Sequence, residues 1–288
     1  MKARFIHHGV LAALLALAWV QASAKTSVDS LLLQADAIRT SDPVRFYKVL
    51  EELERQEEKA TPEERMRLRL IKAHGFLMRG QPEPAVQELR EVQAAAKDAQ
   101  LRFRAGAMLA NTYAMTRQFE QGLAALNDIL PLAEEVSDRD IRHRGLLVAG
   151  VLYNQVGEYN LGQKYADQVL SDSPDGRSRC AAGNLKVEAL LGLKNSPKEE
   201  EIFSAIQACE DQKEPIFAGF SRTYLARKWY GDGKIKNAIE LLERHLPEVE
   251  KTGYQRLIGE YHSMLAEYRM SLGDVGVAEK HANSAVAQ

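Results

Sequence analysis

The chain has 288 residues, with 38 lysine and arginine residues against 40 aspartate and glutamate residues and a formal net charge of −2. Hydrophobic residues make up 45% and charged residues 27%, which is typical of a folded globular protein and argues against a disordered or fibrous chain. Nucleic-acid binding needs a basic face, and this charge balance gives no sign of one, so we expect no nucleic-acid partner.

The first 24 residues have the features of a secretory signal peptide. Lys2 and Arg4 form a basic head, residues 9–20 form an uncharged apolar stretch, and residues 22–24 read Ala-Ser-Ala. The stretch is too short to span a bilayer comfortably, and the small residues fit cleavage after Ala24. An uncleaved membrane anchor is the alternative. No later stretch is long and apolar enough to cross a membrane. We therefore expect a periplasmic protein whose mature part does not span the membrane.

A repeat of nearly forty residues follows, and its clearest copy covers residues 142–174. Large and then small residues mark a first helix, a glycine and an aromatic residue mark a turn, and small residues and a proline mark a second helix. These positions hold Leu146, Ala149, Gly150, Tyr153, Gly157, Tyr159, Gly162, Ala166, Val169 and Pro174. This order is the tetratricopeptide pattern. The small residues Gly150 and Gly162 allow the two helices to approach closely, and Gly157 permits the left-handed conformation that ends a helix.

The same register recurs along the chain at six turns 37 to 40 residues apart. The turn positions are Gly80, Arg117, Gly157, Asn195, Gly233 and Gly273. We therefore predict an all-α fold, a right-handed tetratricopeptide superhelix of about six to seven helical hairpins over residues 27–288. The predicted hairpins cover residues 28–60, 63–98, 101–136, 139–174, 177–212, 215–251 and 254–288. The first of them is weak, and hairpin 177–212 has Glu188 and Glu200 where alanine is usual. An irregular helical bundle is the alternative.

Both cysteines, Cys180 and Cys209, lie in hairpin 177–212. The midpoint of their positions falls at Lys194–Asn195, the predicted turn, so antiparallel pairing brings the two cysteines opposite each other. Export places them where disulfides persist, and closing a loop of about thirty residues contributes on the order of 3 kcal/mol. We predict a Cys180–Cys209 disulfide, with two buried free thiols or a redox switch as alternatives.

No pattern typical of catalysis, metal binding or cofactor binding occurs in the sequence. The histidines that remain after cleavage lack HxxxH or HExxH spacing, and there is no GxxxxGK[ST] phosphate loop and no GxSxG nucleophile motif. We therefore expect no catalytic residue, metal or cofactor in this chain. The expected activity is the binding of another molecule.

The concave surface of the superhelix is the candidate binding site. In tetratricopeptide stacks the second, fifth, ninth and twelfth positions of each first helix face the groove. Those positions hold Arg67, His74, Arg104, Asn111, Arg144, Asn154, Arg227, Tyr230 and Glu267. Arg104 and Arg144 occupy the same position in adjacent repeats, so we expect them side by side, where they can bind a carboxylate or phosphate. Asn111 and Asn154 can bond the backbone of an extended peptide. The alternative is that the arginines only solvate this face.

Short segments of the second half carry a more specific resemblance. They are residues 178–180 (SRC), 185–190 (LKVEAL), 206–210 (IQACE), 214–216 (EPI), 225–229 (LARKW), 238–242 (AIELL), 254–258 (YQRLI), 273–274 (GD) and 278–279 (AE). With the repeats and the paired cysteines, these segments resemble the extracytoplasmic sensor region of bacterial diguanylate cyclases that carry tetratricopeptide repeats. The resemblance implies a sensor linked, in a longer protein, through a membrane helix and a coiled coil to a cyclase that makes cyclic di-GMP. Residues 1–288 contain no GGDEF motif, so no catalytic residue is carried over.

The function expected from the sequence is the binding of a protein, a peptide or a small anionic ligand in the groove. The last predicted hairpin is not followed by the polar-faced helix that usually caps a repeat stack, so we expect a longer protein or a missing partner. The alternative function is that of a stand-alone periplasmic scaffold or assembly factor for envelope or secretion machinery.

Overall fold

The computed structural model of the chain describes residues 27–195 and 197–287, and the predicted signal peptide lies outside them. In this part of the chain the regular structure consists of α-helices and two short 3-10 helices at Glu57–Lys59 and Leu130–Glu134. The α-helices form seven consecutive hairpins. They are α1 (Val28–Ile38) with α2 (Pro43–Arg55), α3 (Pro62–Met78) with α4 (Pro82–Ala95), α5 (Ala99–Met115) with α6 (Phe119–Ile129), α7 (Arg139–Gln155) with α8 (Tyr159–Ser171), α9 (Gly176–Gly192) with α10 (Glu199–Asp211), α11 (Pro215–Gly231) with α12 (Ile235–Lys251), and α13 (Gln255–Ser271) with α14 (Val275–Val286). The predicted all-α fold of helical hairpins is confirmed.

The first helices of the hairpins from α3 to α13 are all 17 residues long. Several of them begin at a side-chain cap. Thr61 and Glu64 form a capping box before α3, and Asp98, Asp138 and Asp175 accept a backbone N–H bond at the starts of α5, α7 and α9. Each cap stabilises its helix by about 1 kcal/mol, so the starting residue of these helices is set by the sequence.

A residue with positive φ follows each of these six first helices. Four are glycines, Gly80 (φ 70°), Gly157 (87°), Gly233 (78°) and Gly273 (83°). Arg117 adopts the same conformation at φ 58°, so five of the six predicted turns are confirmed. The remaining predicted turn, Asn195, is wrong by one residue, because Lys194 at φ 58° takes the left-handed conformation instead. Asparagine tolerates that conformation better, but the constant helix length places the turn at Lys194.

Close contact between helices within a hairpin depends on two glycines. A Cβ atom on Gly150 would lie 3.3 Å from the Gly162 carbonyl oxygen, and one on Gly162 would lie 3.2 Å from the Gly150 carbonyl oxygen. A side chain at Gly162 would also overlap the Asn154 side-chain amide. The two backbones of α7 and α8 therefore approach so closely that a Cβ atom at either glycine would make a tight contact with the other backbone.

The buried apolar residues form several clusters, and the larger ones join successive hairpins. The largest fully buried side chains include Phe46 in the first hairpin, Phe103 in the third, and Tyr261 and Tyr268 in the seventh. Burial of such side chains is the main source of stability in a repeat protein, because each hairpin covers the apolar face of the next. Among the described helices, none is both long enough and apolar enough to cross a bilayer.

The predicted disulfide joins the two helices of the fifth hairpin. Cys180 on α9 and Cys209 on α10 are bonded, with their Cα atoms 4.7 Å apart, and both side chains are fully buried. The apolar residues packed around the bridge are few, namely Ala218 and the partly buried Phe217. The covalent bond therefore holds the hairpin where the packed core is small.

Candidate binding groove

The first helices of the hairpins line the inner side of the stack. Each first helix contacts the first helix of the next hairpin, from α1 with α3 through to α11 with α13. The second helices make no comparable contact with one another in the described residues. The row of first helices is therefore the more tightly spaced one, which makes their shared surface the concave groove, as the register of the repeats predicts.

The end of α1 and the turn after it lie across this groove. Asp36 accepts hydrogen bonds from both terminal nitrogens of Arg104 on α5, one of them at 2.9 Å. Thr40 accepts a hydrogen bond from Arg177 Nη2 on α9 at 2.7 Å. The Thr40 hydroxyl in turn donates to the Glu214 carboxylate at 3.0 Å, just before α11. The first hairpin thus reaches the beginning of the sixth hairpin and occupies part of the groove.

Four arginines meet where the first hairpin crosses the groove, and we call Arg39, Arg104, Arg144 and Arg177 the arginine cluster. Arg104 is held by Asp36, and Arg177 Nε donates to the Glu214 carboxylate at 2.5 Å. Arg39 Nη1 lies 3.7 Å from Asp36 Oδ1, but its Nε is buried and has no hydrogen-bond partner in the described structure.

Arg144 interacts electrostatically with Arg104, Asp36 and Arg177. Arg104 and Arg177 are each held by a carboxylate, whereas Arg144 forms no hydrogen bond or ion pair with any residue that the structure describes. Two of the four guanidinium groups are therefore satisfied by carboxylates, and the other two keep unused donors.

The pKa values in the arginine cluster are shifted because several positive charges lie close together in a partly buried place. Burial, and then the charges of Arg144 and Arg104, lower the pKa of Arg39 to about 9. Burial and the charge of Arg104 also lower the pKa of Arg144. Burial alone would raise the pKa of Asp36, but the charges of Arg104 and Arg39 outweigh it and hold that pKa below its usual value.

His74 is part of the same region. Its Nε2 lies 3.2 Å from the Arg39 carbonyl oxygen, and its ring meets the edge of Phe46 with centroids 5.3 Å apart. Burial and the nearby charge of Arg39 lower the pKa of His74 to about 3, so the imidazole is neutral at physiological pH. It therefore helps to support the turn after α1 and adds no positive charge to the cluster.

A second feature of the groove is a pocket between α11 and α13, which we call the tyrosine pocket. Its volume is about 430 Å³, and its lining residues are Arg227, Tyr230, Glu260, Ser263, Met264, Glu267 and Tyr268. The rings of Tyr230 and Tyr268 stack with centroids 4.2 Å apart. Arg227 Nη2 donates to Glu260 Oε1 at 2.6 Å. The pocket thus presents an aromatic wall beside charged groups whose positions are restrained by an ion pair.

The predicted groove residues fall into these two features with three exceptions. Arg104, Arg144 and His74 belong to the region of the arginine cluster, and Arg227, Tyr230 and Glu267 line the tyrosine pocket.

The exceptions are Arg67, Asn111 and Asn154. Arg67 is paired with Asp29 on α1 at 2.5 Å, and Asn111 Nδ2 lies 3.6 Å from Met115 Sδ on its own helix. Asn154 is buried and bonds the Leu185 carbonyl oxygen at 3.3 Å, so it joins α7 to α9 and is not accessible to a peptide backbone.

The pairing of Arg104 with Arg144 needs a correction as well. The two charges interact, but Arg104 is already engaged by Asp36, so the expectation that both arginines are available to a carboxylate or phosphate of a ligand is wrong. The neighbours that change this arrangement, Asp36 and Arg177, were not among the residues predicted from the sequence. They are brought to the groove by the first hairpin and by α9, and the register of the repeats carries no signal for either.

Within the described residues, no group of three or more histidine, cysteine, aspartate or glutamate side chains is arranged to hold a metal ion.

Comparisons with known proteins identify the fold. No protein-family model matches the chain, and no curated protein matches it. Solved structures do match. A Rap protein complexed with Competence and Sporulation Factor aligns with a TM-score of 0.69 and 14% identity, over 91% of this chain and 77% of that one. The apo form of RapI aligns with a TM-score of 0.58 and 12% identity, over 88% and 74%.

A third similar structure is a signal transduction ATPase with a tetratricopeptide repeat sensor from Pyrococcus horikoshii. It aligns with a TM-score of 0.61 and 15% identity over 89% of this chain, which spans 40% of that larger protein. At these identities the similarity concerns the fold alone. The chain therefore has the all-α fold of tetratricopeptide-like helical repeat proteins.

Proposed function

We propose that the chain is an exported binding module that holds a segment of a protein or peptide partner in its groove. The tyrosine pocket is the observation that carries this proposal. A volume of about 430 Å³ lies within the range of ligand pockets and accommodates one or two side chains of a partner. Tyr230 and Met264 in its lining favour an apolar or aromatic side chain, and Glu267 and Arg227 favour polar contacts at its edge.

The similar structures support binding as the general role. One of them is a Rap protein complexed with Competence and Sporulation Factor, and another carries a tetratricopeptide repeat sensor. The first is bound to another molecule, and the second has a repeat region described as a sensor. By analogy of fold, the groove is the surface that we assign to the partner.

Export to the periplasm is supported by two features of the chain. Residues 1–24 have the order of a signal peptide, and the Cys180–Cys209 disulfide suits an oxidising compartment. A fusion of the first 30 residues to alkaline phosphatase lacking its own signal should give enzyme activity, because that enzyme becomes active only after export. Deletion of residues 9–20 from the fusion should abolish the activity, and unchanged activity would contradict export through this segment.

We further propose that the module is the sensor part of a cyclic di-GMP signalling protein, on the basis of the resemblance described above. This part of the proposal is tested by reading the gene beyond the codon for Gln288. Continuation into an apolar span and a GGDEF domain supports the sensor. A stop codon there contradicts it and favours the periplasmic scaffold.

Site-directed crosslinking tests partner binding. Ser263 is exposed in the tyrosine pocket, and Glu240 is exposed on α12, away from the groove. A photoreactive residue at position 263 should give a discrete crosslinked product in periplasmic extract, whereas the same residue at position 240 should not. Tyr230→Ala should remove the product, and the matched variant Arg244→Ala on α12 should keep it. Equal crosslinking at both positions would mean that the pocket is not the binding site.

A further inference from the structure

The arginine cluster has more donors than its carboxylates use. Its members come from four places in the chain, the end of α1, α5, α7 and α9. Asp36 satisfies Arg104, and Glu214 with Thr40 satisfies Arg177. Arg39 Nε is buried without a partner, and Arg144 makes no hydrogen bond or ion pair to another described residue. An unpaired buried donor is costly, so Arg39 Nε indicates a place for an acceptor, and the partly exposed Arg144 adds unused donors to the same cluster.

The charges around the cluster do not balance either. The charged groups that act on Arg144 are Arg104, Arg177, Asp36 and Asp140. With Arg39 and Glu214 added, four guanidinium groups face three carboxylates, and the carboxylate of Glu214 is bonded to Arg177 and Thr40. The excess positive charge is therefore located at Arg39 and Arg144, beside the unused donors.

We infer that Arg39 and Arg144 form a subsite for a phosphate-type oxyanion, either inorganic phosphate or the phosphoryl group of a small phosphate ester. A carboxylate is planar, and one guanidinium can satisfy it, as Arg104 satisfies Asp36. The unused donors of this subsite come from two separate segments of the chain, because Arg39 follows α1 and Arg144 lies on α7. A tetrahedral anion has oxygens for each of them, which favours phosphate over carboxylate.

Asp36 is the internal competitor of this anion. It places one negative charge among the same arginines and engages the terminal nitrogens of Arg104. Its removal should free Arg104 for the anion and remove a like charge from the site. The subsite lies in the groove assigned above to a partner, so this inference deepens the proposed function and rests on it for its biological role, although the anion binding can be measured alone.

The first experiment measures binding of inorganic phosphate to the mature chain, residues 25–288, by calorimetry and thermal unfolding. Sodium chloride at equal ionic strength is the control for screening. Phosphate at ten times its dissociation constant should raise the Tm by about 3–5 °C with one site per chain. Acetate should not produce this shift. An equal shift with acetate, or no shift with phosphate, would overturn the inference.

Arg144→Gln is the decisive variant, and Arg244→Gln on the surface of α12 is its matched control. The Arg144 variant should weaken phosphate binding by about tenfold or more, because it removes a charge-assisted hydrogen bond. Without phosphate its Tm should be equal to or above that of the parent chain, because repulsion within the cluster is relieved. A residue with a purely structural role would lower the Tm. Unchanged phosphate affinity in Arg144→Gln would contradict the subsite.

Asp36→Asn should change the phosphate affinity in the opposite direction to Arg144→Gln, because the variant chain should bind phosphate more tightly than the parent chain. Weaker binding by a folded Asp36→Asn chain would contradict the competition. Binding of glycerol 3-phosphate, compared with that of inorganic phosphate, shows which of the two ligands the subsite takes. Tighter binding of glycerol 3-phosphate assigns the subsite to a phosphate ester, and weaker binding assigns it to inorganic phosphate. Crosslinking at position 263 is independent of these measurements. If no crosslink forms but phosphate binds, only the proposed partner site is refuted. If the crosslink forms but phosphate does not bind, only the anion subsite is refuted.

Discussion

Removal of the Cys180–Cys209 disulfide gives the sharpest test of how the fifth hairpin is held together. The bridge closes a loop with a sequence separation of 29 residues. On the chain-entropy model, a loop of that size stabilises the folded state by about 3–4 kcal/mol. The apolar cluster around the bridge contains little besides Ala218 and Phe217, so packing at this place contributes little beside the bond. The double variant Cys180→Ala/Cys209→Ala should therefore unfold about 7–14 °C below the parent chain.

Urea and thermal unfolding, followed by circular dichroism, measure this loss. The parent chain with a reductant should match the double variant, and denatured, unreduced parent chain should contain no reactive thiol. Hydrogen exchange in the double variant should show the largest loss of protection in α9 and α10, because the missing bond joined these two helices. A double variant within about 1 kcal/mol of the parent chain would refute the reasoning, since it would mean that packing alone holds the hairpin.

Three further outcomes are expected. Arg117→Gly should stabilise the chain by about 0.5–1 kcal/mol in urea unfolding, because Arg117 is exposed at φ 58°, where glycine has no steric penalty; a loss of stability would contradict this. Burial raises the pKa of Glu188, against the hydrogen bond from Asn154, so the stability linked to its protonated form is lost as pH rises. Glu188→Gln should therefore raise the Tm at pH 8 and lose that advantage near pH 4; an equal gain at both would exclude ionisation as the cause. His74 has a folded pKa of about 3 against 6.5, so stability should fall as pH drops below 6.5, by up to about 1.4 kcal/mol per pH unit. His74→Gln should flatten this part of the pH profile of Tm, and an unchanged profile would exclude His74 as its source.

Those parts of the fold that depend on neighbouring residues could be predicted from the sequence. Small residues such as Gly150 and Gly162 and turn glycines such as Gly157 recur with the repeat, so they indicate where helices approach and end. The disulfide could be predicted from the antiparallel pairing of the two helices, because Cys180 and Cys209 are equally distant from the turn between them. Each of these features involves residues within one hairpin.

The composition of the groove could be predicted only in part, because it also depends on the curvature of the whole stack. Asp36 meets Arg104 across 68 positions, and Thr40 meets Glu214 across 174. Such contacts require the summed geometry of several hairpins, which no local pattern encodes. Asn154 failed as a groove residue for a local reason, since Gly162 leaves room that its amide fills beside Leu185.

The contact of Thr40 with Arg177 and Glu214 has a consequence for how the chain unfolds. In an open solenoid the repeats couple only to their neighbours, so the terminal repeat frays first and unfolding proceeds inward. Here fraying of the first hairpin also breaks bonds to the fifth hairpin and to the start of the sixth. These bonds therefore couple repeats that are not adjacent in the stack. The N-terminal and central repeats should unfold together as one cooperative unit.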